Sequence, residues 1–228
     1  MERYSRNMKT LSKEENDKLK EFKVCVVGCG GLGGYIIEML GRIGVGSITA
    51  VDGDVFVESN LNRQILSSNE SLGRGKALEA QLRMEKVNPL IKVEVVPEML
   101  TEENSLDILK DHHVVVDALD SISARLMLQE SCKKLNIPMV HGAIAGWYGQ
   151  VTTIFPEDDT LNKIYNKDKK ESKGIEQEMG NPSFTPALTA SIEVSEVIKI
   201  LIGRGELLRK KILFIDLLSS EYDIIPIV

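Results

Sequence analysis

A glycine-rich turn lies between an apolar run and a helix-spaced segment near the start of the chain. The run "VCVV" leads into "GCGGLGG", and "YIIEMLGRIG" is followed by a second apolar run, "SITAVD". Apolar residues recur with helical spacing in the middle segment, whereas both runs are continuously apolar, as in strands covered on both faces. This strand, turn, helix and strand unit predicts a parallel β-sheet packed between helices.

The remainder of the chain continues the alternation of helix-spaced and strand-like segments. The predicted helices are "GKALEAQLRMEKVN", "SLDILK", "SARLMLQESCKKLN" and "TASIEVSEVIKILIG", and the further strands are "KVEVVPE", "VVVDALD", "PMVHGAI", "GQVTTIF", "KILFIDLLS" and "YDIIPIV". Such alternation favours an α/β fold. We expect a doubly wound Rossmann-like sheet, mostly parallel with additional C-terminal strands, and helices on both faces.

The glycine turn also predicts a nucleotide site. Gly28, Gly30 and Gly33 have the G-x-G-x-x-G spacing between a strand and a helix. They permit a tight turn and a close approach of the backbone to phosphate or ribose, and Asp52 at the end of the next strand can accept bonds from ribose hydroxyls. Strand, helix and acid in this register favour an adenine nucleotide, without saying which one.

Charged and amide side chains follow Asp52, where recognition of a dinucleotide would stop. They are Asp54, Asn60, Arg63, Gln64, Arg74 and Lys76, together with Asp117 and Asp120 after a later strand. Because ligands gather at the carboxyl ends of the strands of such a sheet, we expect these groups to converge on the nucleotide. Arg63 and Lys76 would neutralise phosphate charge and Asp120 would hold Mg²⁺, which together suit ATP.

We expect one domain over the 228 residues. Its parts are an N-terminal helical arm (1–22), a nucleotide-binding core (23–155), a mobile crossover loop (156–181) and a C-terminal helix and strands (182–228). Ser12 is predicted to cap the helix of the arm, with Glu15 completing a capping box. The Lys-rich "KDKKESK" in the crossover favours a solvated loop over a binding patch.

Charge and hydropathy limit the partners. A formal net charge of −6 and a pI near 5.3 give no overall attraction to nucleic acid or anionic membrane. No apolar run approaches the roughly 20 residues that span a bilayer, and "MERYSRNMKT" lacks the apolar core of a signal peptide. We therefore expect a cytoplasmic protein with no membrane partner, for which nucleic acid is a poor partner.

Cysteines and histidines give weaker indications. Cys25, Cys29 and Cys132 are an odd number, lack further clustered ligands and are predicted to pack in the core. Adjacent His112 and His113 would point to opposite faces, which suits loop packing. The roles of three later residues stay open. His141 could touch a ligand, and Trp147 and Tyr148 could pack under the crossover or receive a partner.

The ordered motifs resemble those of the HesA/MoeB/ThiF family, the relatives of ubiquitin-activating enzymes. The resemblance is carried by "RYSRN", "GCGGLGG", "GVGSITAVDGDVFVESNLNRQ", "LGRGKALEAQLRMEKVNP", "VVVDALDSISAR", "PMVHGAIAGWYGQVTTIFP", "PALTASIEVSEVIKILIG" and "ILFIDLL". It covers nearly the whole chain outside the crossover, and the ordered set is far more specific than the glycines alone. It implies ATP-dependent adenylation of the C-terminal glycine carboxylate of a ubiquitin-like sulfur carrier, with release of pyrophosphate.

The resemblance also implies roles for single residues. It assigns catalysis to Asn60, Arg63, Lys76, Asp120 and Arg6, nucleotide binding to Gly28, Gly30, Gly31, Gly33, Asp52, Asp54, Ser59, Gln64 and Ser121, and Mg²⁺ to Asp120. Arg6 would reach the phosphates in the neighbouring subunit, so a homodimer is implied. Many family members carry two Cys-x-x-Cys pairs that bind zinc, but no Cys follows Cys132 here, so we expect no structural zinc and no thioester step.

Three other functions remain open from the sequence. A relative that dehydrates a threonylcarbamoyl adenosine in tRNA would adenylate a different carboxylate. An NAD-dependent oxidoreductase would account for the glycines and Asp52. A non-catalytic scaffold is the third alternative. It is disfavoured because it would not require five such residues together: Arg6, Asn60, Arg63, Lys76 and Asp120. Neither the carrier nor its pathway, be it thiamine, molybdopterin or cysteine synthesis, follows from the residues.

Overall fold

A single mixed β-sheet organises the described part of the protein. The computed structural model describes residues 2–165 and 179–227, and within them eight strands lie in the order β3-β2-β1-β4-β5-β6-β7-β8. The strands are β1 (Lys23–Val27), β2 (Ser47–Val51), β3 (Lys92–Val96), β4 (Val114–Asp117), β5 (Met139–Ala145), β6 (Tyr148–Ile154), β7 (Lys211–Asp216) and β8 (Glu221–Pro226). Every predicted strand is present.

The direction of the strands changes once along the sheet. Strands β1 to β5 pair in parallel, whereas the β5/β6, β6/β7 and β7/β8 pairs are antiparallel. The predicted fold class is therefore confirmed: a doubly wound, mostly parallel sheet with additional C-terminal strands. Strand order reverses between β1 and β4, and the crevice at the carboxyl ends of these two strands is where such sheets bind ligands.

Helices cover both faces of the sheet. They are α1 (Lys13–Lys18), α2 (Gly31–Ile43), α3 (Lys76–Val87), α4 (Ser105–Leu109), α5 (Ile122–Leu135), α6 (Thr160–Ile164) and α7 (Phe184–Ile202). Side chains alternate along β1, so Val24 and Val26 pack in one core cluster while Cys25 and Val27 pack in another. Continuous apolar runs are thus explained by burial on both faces.

The N-terminal arm is more irregular than its sequence predicts. The predicted helix of the arm is a short α1 followed by a 3₁₀ turn at Leu19–Glu21. The capping box is present: the Glu15 amide donates to Ser12 Oγ over 3.1 Å, and the Ser12 amide donates to Glu15 Oε2 over 2.7 Å. Arg204 pairs with Glu15, which ties the arm to the end of α7.

Two helical segments differ from the sequence predictions. Helix α7 begins at Phe184, five residues before the predicted start, because Pro186 falls in the first turn, where its missing N–H is not needed. The crossover contains the short helix α6, which its polar composition did not predict. The Lys-rich residues 167–173 lie outside the described residues.

Among the described residues, no helix combines the length and apolar character needed to cross a membrane.

Candidate active site

A cavity of about 200 Å³ opens at the carboxyl ends of β1, β2 and β4, at the point where the strand order reverses. Its wall is formed by the glycine turn, the loop after β2, the start of α3 and the loop between β4 and α5. Of the predicted site residues, the cavity is lined by Gly28, Gly30, Gly31, Asp52, Asp54, Arg63, Gln64, Lys76, Asp120 and Ser121. Tertiary structure therefore brings together residues that are up to 93 positions apart in the chain (28 to 121).

Close packing accounts for two of the glycines. Gly28 has a φ of 96°, and a Cβ there would lie 2.6 Å from the carbonyl oxygen of Ala118. A Cβ at Gly33 would lie 1.7 Å from the carbonyl oxygen of Gly28, so only glycine lets α2 approach the turn. Gly33 is buried outside the cavity wall, and its visible role is in shaping the turn.

Asp52 is held by backbone amides beside the cavity. Its Oδ2 accepts from the amide of Cys29 over 2.7 Å, and its Oδ1 accepts from the amide of Asp54 over 2.8 Å. Burial raises the pKa of this carboxyl, although both amides and the charge of Lys76 oppose the rise. The carboxylate is thus fixed in orientation at the end of β2, as ribose binding requires.

Two basic side chains reach the same cavity from different elements. Lys76 begins α3; its amide donates to the backbone oxygen of Asp54 over 2.9 Å, and its Nζ lies 3.0 Å from Asp54 Oδ2. The Lys76 residue is only 8% exposed, which is low for a lysine. Arg63 lies across the cavity, and its Nη1 donates to the Ser59 backbone oxygen and to Asn62 Oδ1. Such a pair of cations suits a polyphosphate.

Gln64 presents an unused acceptor at this site. It is buried beside Gly30 in the cavity wall, and its Oε1 has no hydrogen-bond partner among residues 2–165 and 179–227. A buried amide oxygen without a partner carries a cost of about 1–3 kcal/mol. A ligand that donates a hydrogen bond would remove this cost, so the residues present fit an occupied cavity.

The loop between β4 and α5 places Asp120 and Ser121 in the wall. Asp120 is exposed at the cavity, and Ser121 Oγ caps α5 by accepting from the Ala124 amide over 3.3 Å. No group of three or more His, Cys, Asp or Glu side chains that could hold a metal was found in the described parts of the chain. One or two carboxylates with substrate phosphates are a usual environment for Mg²⁺, so Asp120 fits that ion.

Several predicted residues lie outside the cavity wall. Asn60 is buried and its Oδ1 accepts from the Val57 amide over 3.0 Å, so it shapes the loop that carries Arg63. Ser59 supports Arg63 through its carbonyl oxygen. Arg6 is exposed on the N-terminal arm, and Arg74 pairs with Glu79. Their assigned roles in the site stay predictions.

Asp117 also differs from expectation. We expected it to converge on the nucleotide, but its carboxylate is fully buried. Asp117 Oδ2 lies 2.7 Å from His141 Nδ1, and Oδ1 accepts from the Leu119 amide over 3.0 Å. His141 is likewise fully buried and does not line the cavity. Both side chains support the loop from inside the protein.

The sequence interpretation missed other residues of the wall. Glu98, Met99 and Leu100 follow β3, and the rule that ligands meet the carboxyl ends of strands would have found them. Arg125 of α5 and Asn181 at the end of the crossover also line the cavity, and no local pattern marks either one.

An apolar cavity of about 410 Å³ adjoins this site and shares Arg125 and Ile144 with it. Tyr148, which stacks on Phe214 with ring centroids 5.8 Å apart, forms part of its wall. Trp147 is 41% exposed and packs against Phe184. Of these two aromatic residues, Tyr148 lines the apolar cavity and Trp147 does not.

The three cysteines are unsuited to covalent chemistry. Cys25, Cys29 and Cys132 are all buried, and burial raises the pKa of each thiol far above its ordinary value. The thiolate is the nucleophilic form, and it is suppressed at all three positions. Their packing in the core agrees with the sequence prediction.

Comparisons with known proteins confirm the family resemblance. The chain is 34% identical over 231 residues to the sulfur carrier protein adenylyltransferase of Thermus thermophilus, covering 97% of this chain and 85% of that protein. It is 32% identical over 229 residues to the SAMP-activating enzyme E1 of Haloferax volcanii, covering 99% and 85%. The crystal structure of E. coli tRNA N6-threonylcarbamoyladenosine dehydratase, TcdA, has a TM-score of 0.75 and 25% identity, covering 89% of this chain and 95% of that one.

The family assignment rests on nearly the full length of the chain. The sequence model described as the ThiF family matches residues 4–227, which includes every element of the cavity wall. The chain belongs to the ThiF family.

Proposed function

We propose that this protein is an adenylyltransferase that uses ATP to activate the C-terminal glycine carboxylate of a ubiquitin-like sulfur carrier ending in Gly-Gly. The observation that carries the proposal is the single cavity that unites Asp52, Arg63, Lys76 and Asp120 at the switch point of the sheet. The two relatives named as activating or adenylating enzymes, at 32% and 34% identity over almost the whole chain, support the same activity.

The proposed reaction needs no protein nucleophile. A carrier carboxylate oxygen bonds to the α-phosphorus of ATP as the bond from that phosphorus to the bridging oxygen breaks, giving an acyl-adenylate and pyrophosphate. The carboxylate is already ionised at neutral pH, so a general base is not required. Positioning and stabilisation of the charge that moves onto pyrophosphate then provide the rate enhancement.

The cavity residues have distinct proposed roles in this step. Gly28, Gly30 and Asp52 hold the adenosine part, while Arg63 and Lys76 neutralise charge on the phosphates. Asp120 would hold Mg²⁺, which supplies further positive charge to the phosphate oxygens. No protein thiol takes part, since the three cysteines are buried.

The apolar cavity is the proposed path for the carrier tail. It meets the nucleotide cavity at Arg125 and Ile144, so a chain lying in it would bring its terminal carboxylate to the phosphates. Gly149 contributes to its wall, and a Cβ there would lie 2.4 Å from Thr189 Oγ1. Two terminal glycines would suit this route because they add no side chain at the junction of the cavities.

We expect ATP to exchange label with radioactive pyrophosphate only when a Gly-Gly carrier is present. The assay would compare several purified carriers with the same carriers lacking the last glycine, because removal of that residue moves the reacting carboxylate away from the α-phosphate. Exchange with intact carriers and loss with shortened ones supports the proposal. Absence of exchange with every intact carrier, despite ATP binding, would refute the carrier assignment.

Other chemistries form control arms of the same experiment. Exchange driven by tRNA that carries threonylcarbamoyl adenosine would indicate the activity named for the TcdA relative, although a net charge of −6 does not favour tRNA. Tight binding of NAD without ATP binding would indicate an oxidoreductase. The two cations of the cavity favour the triphosphate over the diphosphate bridge of NAD.

We also propose that the protein acts in the cytoplasm as a homodimer in which Arg6 reaches the neighbouring active site. Arg6 is exposed on the arm, away from the cavity of its own chain. The segment that carries Arg63 and Lys76 exposes the apolar side chains Val55, Val57, Ile65, Leu72 and Leu78. A cluster of exposed apolar side chains is typical of a protein interface.

Mixing two inactive variants is expected to restore activity if Arg6 acts across the dimer. A subunit with Arg6→Ala keeps an intact cavity, and one with Lys76→Met keeps an intact arm, so a heterodimer has one complete site. Random mixing of the subunits makes about half of the dimers mixed, and each of these has one complete site of two. The rate of pyrophosphate exchange should then be about a quarter of the wild-type rate. Sedimentation would establish the dimer, and a mixture with no regained activity would contradict action between subunits.

A further inference from the structure

A closed ring of hydrogen bonds lies behind the nucleotide cavity. Arg125 donates to the Leu119 carbonyl oxygen from Nε (3.1 Å) and Nη2 (2.6 Å), and from Nη1 to the Tyr165 hydroxyl (3.2 Å). His141 Nε2 lies 3.1 Å from that hydroxyl, and its Nδ1 lies 2.7 Å from Asp117 Oδ2. Asp117 Oδ1 accepts from the Leu119 amide over 3.0 Å, which closes the ring. We call these five residues the polar ring.

The donors and acceptors of the polar ring fix its proton positions. The Tyr165 hydroxyl accepts from Arg125 Nη1 and, over 2.9 Å, from Gln150 Nε2, so its own proton is left for His141 Nε2. His141 must then carry its proton on Nδ1 and donate it to Asp117. Burial lowers the pKa of His141, which agrees with a neutral imidazole. The Tyr165 hydroxyl and both nitrogens of His141 therefore all have hydrogen-bond partners.

The polar ring holds one loop of the active site through both backbone polar groups of one residue, Leu119. Asp117 accepts from the Leu119 amide and Arg125 donates to the Leu119 carbonyl oxygen. The next residue is Asp120, which lines the nucleotide cavity. The backbone of the loop that carries Asp120 thus depends on hydrogen bonds that end at the Tyr165 hydroxyl.

Tyr165 is the member of the polar ring that belongs to the crossover. It directly follows α6, and its ring packs edge-on against His141 with centroids 5.8 Å apart. It also lines the apolar cavity, and Arg125 lines both cavities. The crossover, residues 156–181, contains no Cys, so no cysteine within it binds a metal. A phenol hydroxyl ties the crossover to the polar ring at residue 165.

We propose that Tyr165 is a positioning residue for adenylation, whose hydroxyl sets the place of the Asp120 loop through Arg125 and His141. This inference rests on the proposed function for its effect on rate, but the ring itself is independent of which carboxylate is activated. Tyr165 touches neither nucleotide nor carboxylate in this role. It acts by holding the residues that do.

Tyr165→Phe tests the inference because it removes only the hydroxyl. We expect kcat for pyrophosphate exchange to fall by about 10- to 100-fold, while the affinity for ATP without Mg²⁺ changes by less than about twofold, because the glycine turn and Asp52 are untouched. The gain in ATP affinity that Mg²⁺ provides should also shrink towards none, since Asp120 loses its fixed place. That binding measurement needs no carrier.

The imidazole ¹⁵N spectrum reports the polar ring directly. We expect His141 in the wild type as the neutral form protonated at Nδ1, and a changed Nε2 shift in Tyr165→Phe, where the donor to that nitrogen is gone. His113 provides a reference within the same spectrum, because its Nδ1 accepts from the Lys23 amide over 3.0 Å and is therefore unprotonated. With three histidines in the chain, single His→Gln variants assign the signals.

Tyr35→Phe is the matched control. Tyr35 packs against the core from α2, and its hydroxyl has no hydrogen bond in the described portion of the chain, so rate, Mg²⁺ response and His141 shifts should stay at wild-type values. If Tyr165→Phe does not fold, Arg125→Lys replaces it: a lysine ammonium lacks the planar fork that bonds Leu119 from Nε and Nη2 and Tyr165 from Nη1, so the same falls in kcat and in the Mg²⁺ response are expected, while the Tyr165 hydroxyl still donates to His141.

The outcomes separate this inference from the proposed function. Wild-type kcat and an unchanged Mg²⁺ response in a folded Tyr165→Phe would overturn the positioning role, and so would a wild-type His141 protonated at Nε2. If no carrier supports exchange, the proposed function fails, while the loss of the Mg²⁺ response together with the changed His141 shift still supports the role of Tyr165.

Discussion

Lys76→Met is expected to lower carrier-dependent pyrophosphate exchange by about 100- to 1,000-fold without unfolding the protein. Lys76 Nζ stands in the wall of the nucleotide cavity, and the residue is 8% exposed, so its charge acts on phosphate with little screening by water. Its partner Asp54 has a side chain that is 62% exposed. Removal of the ammonium therefore leaves no buried, unpaired carboxylate, and methionine preserves the length and packing of the side chain.

Lys86→Met is the control for this prediction. Lys86 lies in the last turn of the same helix, is exposed and is remote from the cavity. Exchange kinetics of the two variants, with urea unfolding of both, would separate a local effect on phosphate from a general effect of losing one positive charge. An unimpaired Lys76→Met, or an equal loss in Lys86→Met, would contradict the role given to Lys76.

Sequence patterns predicted the sheet because its strands are buried on both faces. A run such as "VCVV" has no other common explanation next to glycines and a helix-spaced segment. The same geometry located most of the cavity, because parallel strands bring their carboxyl ends to one edge and so unite Asp52 with Asp120. Family resemblance, confirmed by the comparisons, supplied the chemistry that spacing alone left open.

Polar contacts in the interior were beyond the sequence. His141, Arg125 and Tyr165 come from a strand, a helix and the crossover, and no period in the chain links them. The phosphate role of Asn60 stays a prediction, but its contact with the Val57 amide was not foreseen, because a buried amide close to a tight turn is satisfied locally. Side-chain pairing depends on the final packing, which short-range patterns do not contain.

Helix α7 contains a second example of hidden polar packing. The segment "TASIEVSEV" places Glu193 and Glu196 among apolar residues, and both side chains are buried. Glu196 is well partnered: it accepts from Thr153 Oγ1 over 2.5 Å and from the Leu208 amide over 2.8 Å, and it pairs with Lys199. Neither oxygen of Glu193 has a partner among the described residues. The two carboxyl groups therefore have opposite effects on stability.

Burial, with a smaller contribution from the charge of Asp117, raises the pKa of Glu193 well above its ordinary value of 4.5. The carboxyl also lies against the backbone of Gly142, where a Cβ would be 2.3 Å from its Cδ, so it occupies the space that a side chain at residue 142 would take. Below pH 4.5 both folded and unfolded chains carry the proton, and this group leaves stability independent of pH. Above that pH only the folded chain keeps it, and stability falls as pH rises towards the pKa in the folded state.

Glu193→Gln is expected to stabilise the protein by an amount that grows with pH. Glutamine is neutral in both states, so the variant escapes a loss of about 1.4 kcal/mol per pH unit above 4.5, which sets an upper limit of about 4 kcal/mol at pH 7.5. The partnerless amide group lowers the gain by a constant amount. Urea unfolding between pH 5.5 and 8.5 measures the difference in the free energy of unfolding.

Glu196→Gln is the matched control, three residues further along the same helix and equally buried. Its loss of an ion pair with Lys199 is expected to destabilise the protein, with no gain that grows with pH, because the carboxylate it removes is partnered in the folded state. A difference between wild type and Glu193→Gln that stays constant over the pH range would mean that Glu193 ionises alike in both states. Water reaching the seam between α7 and Gly142 would then be the physical explanation, because a hydrated carboxylate keeps its ordinary pKa.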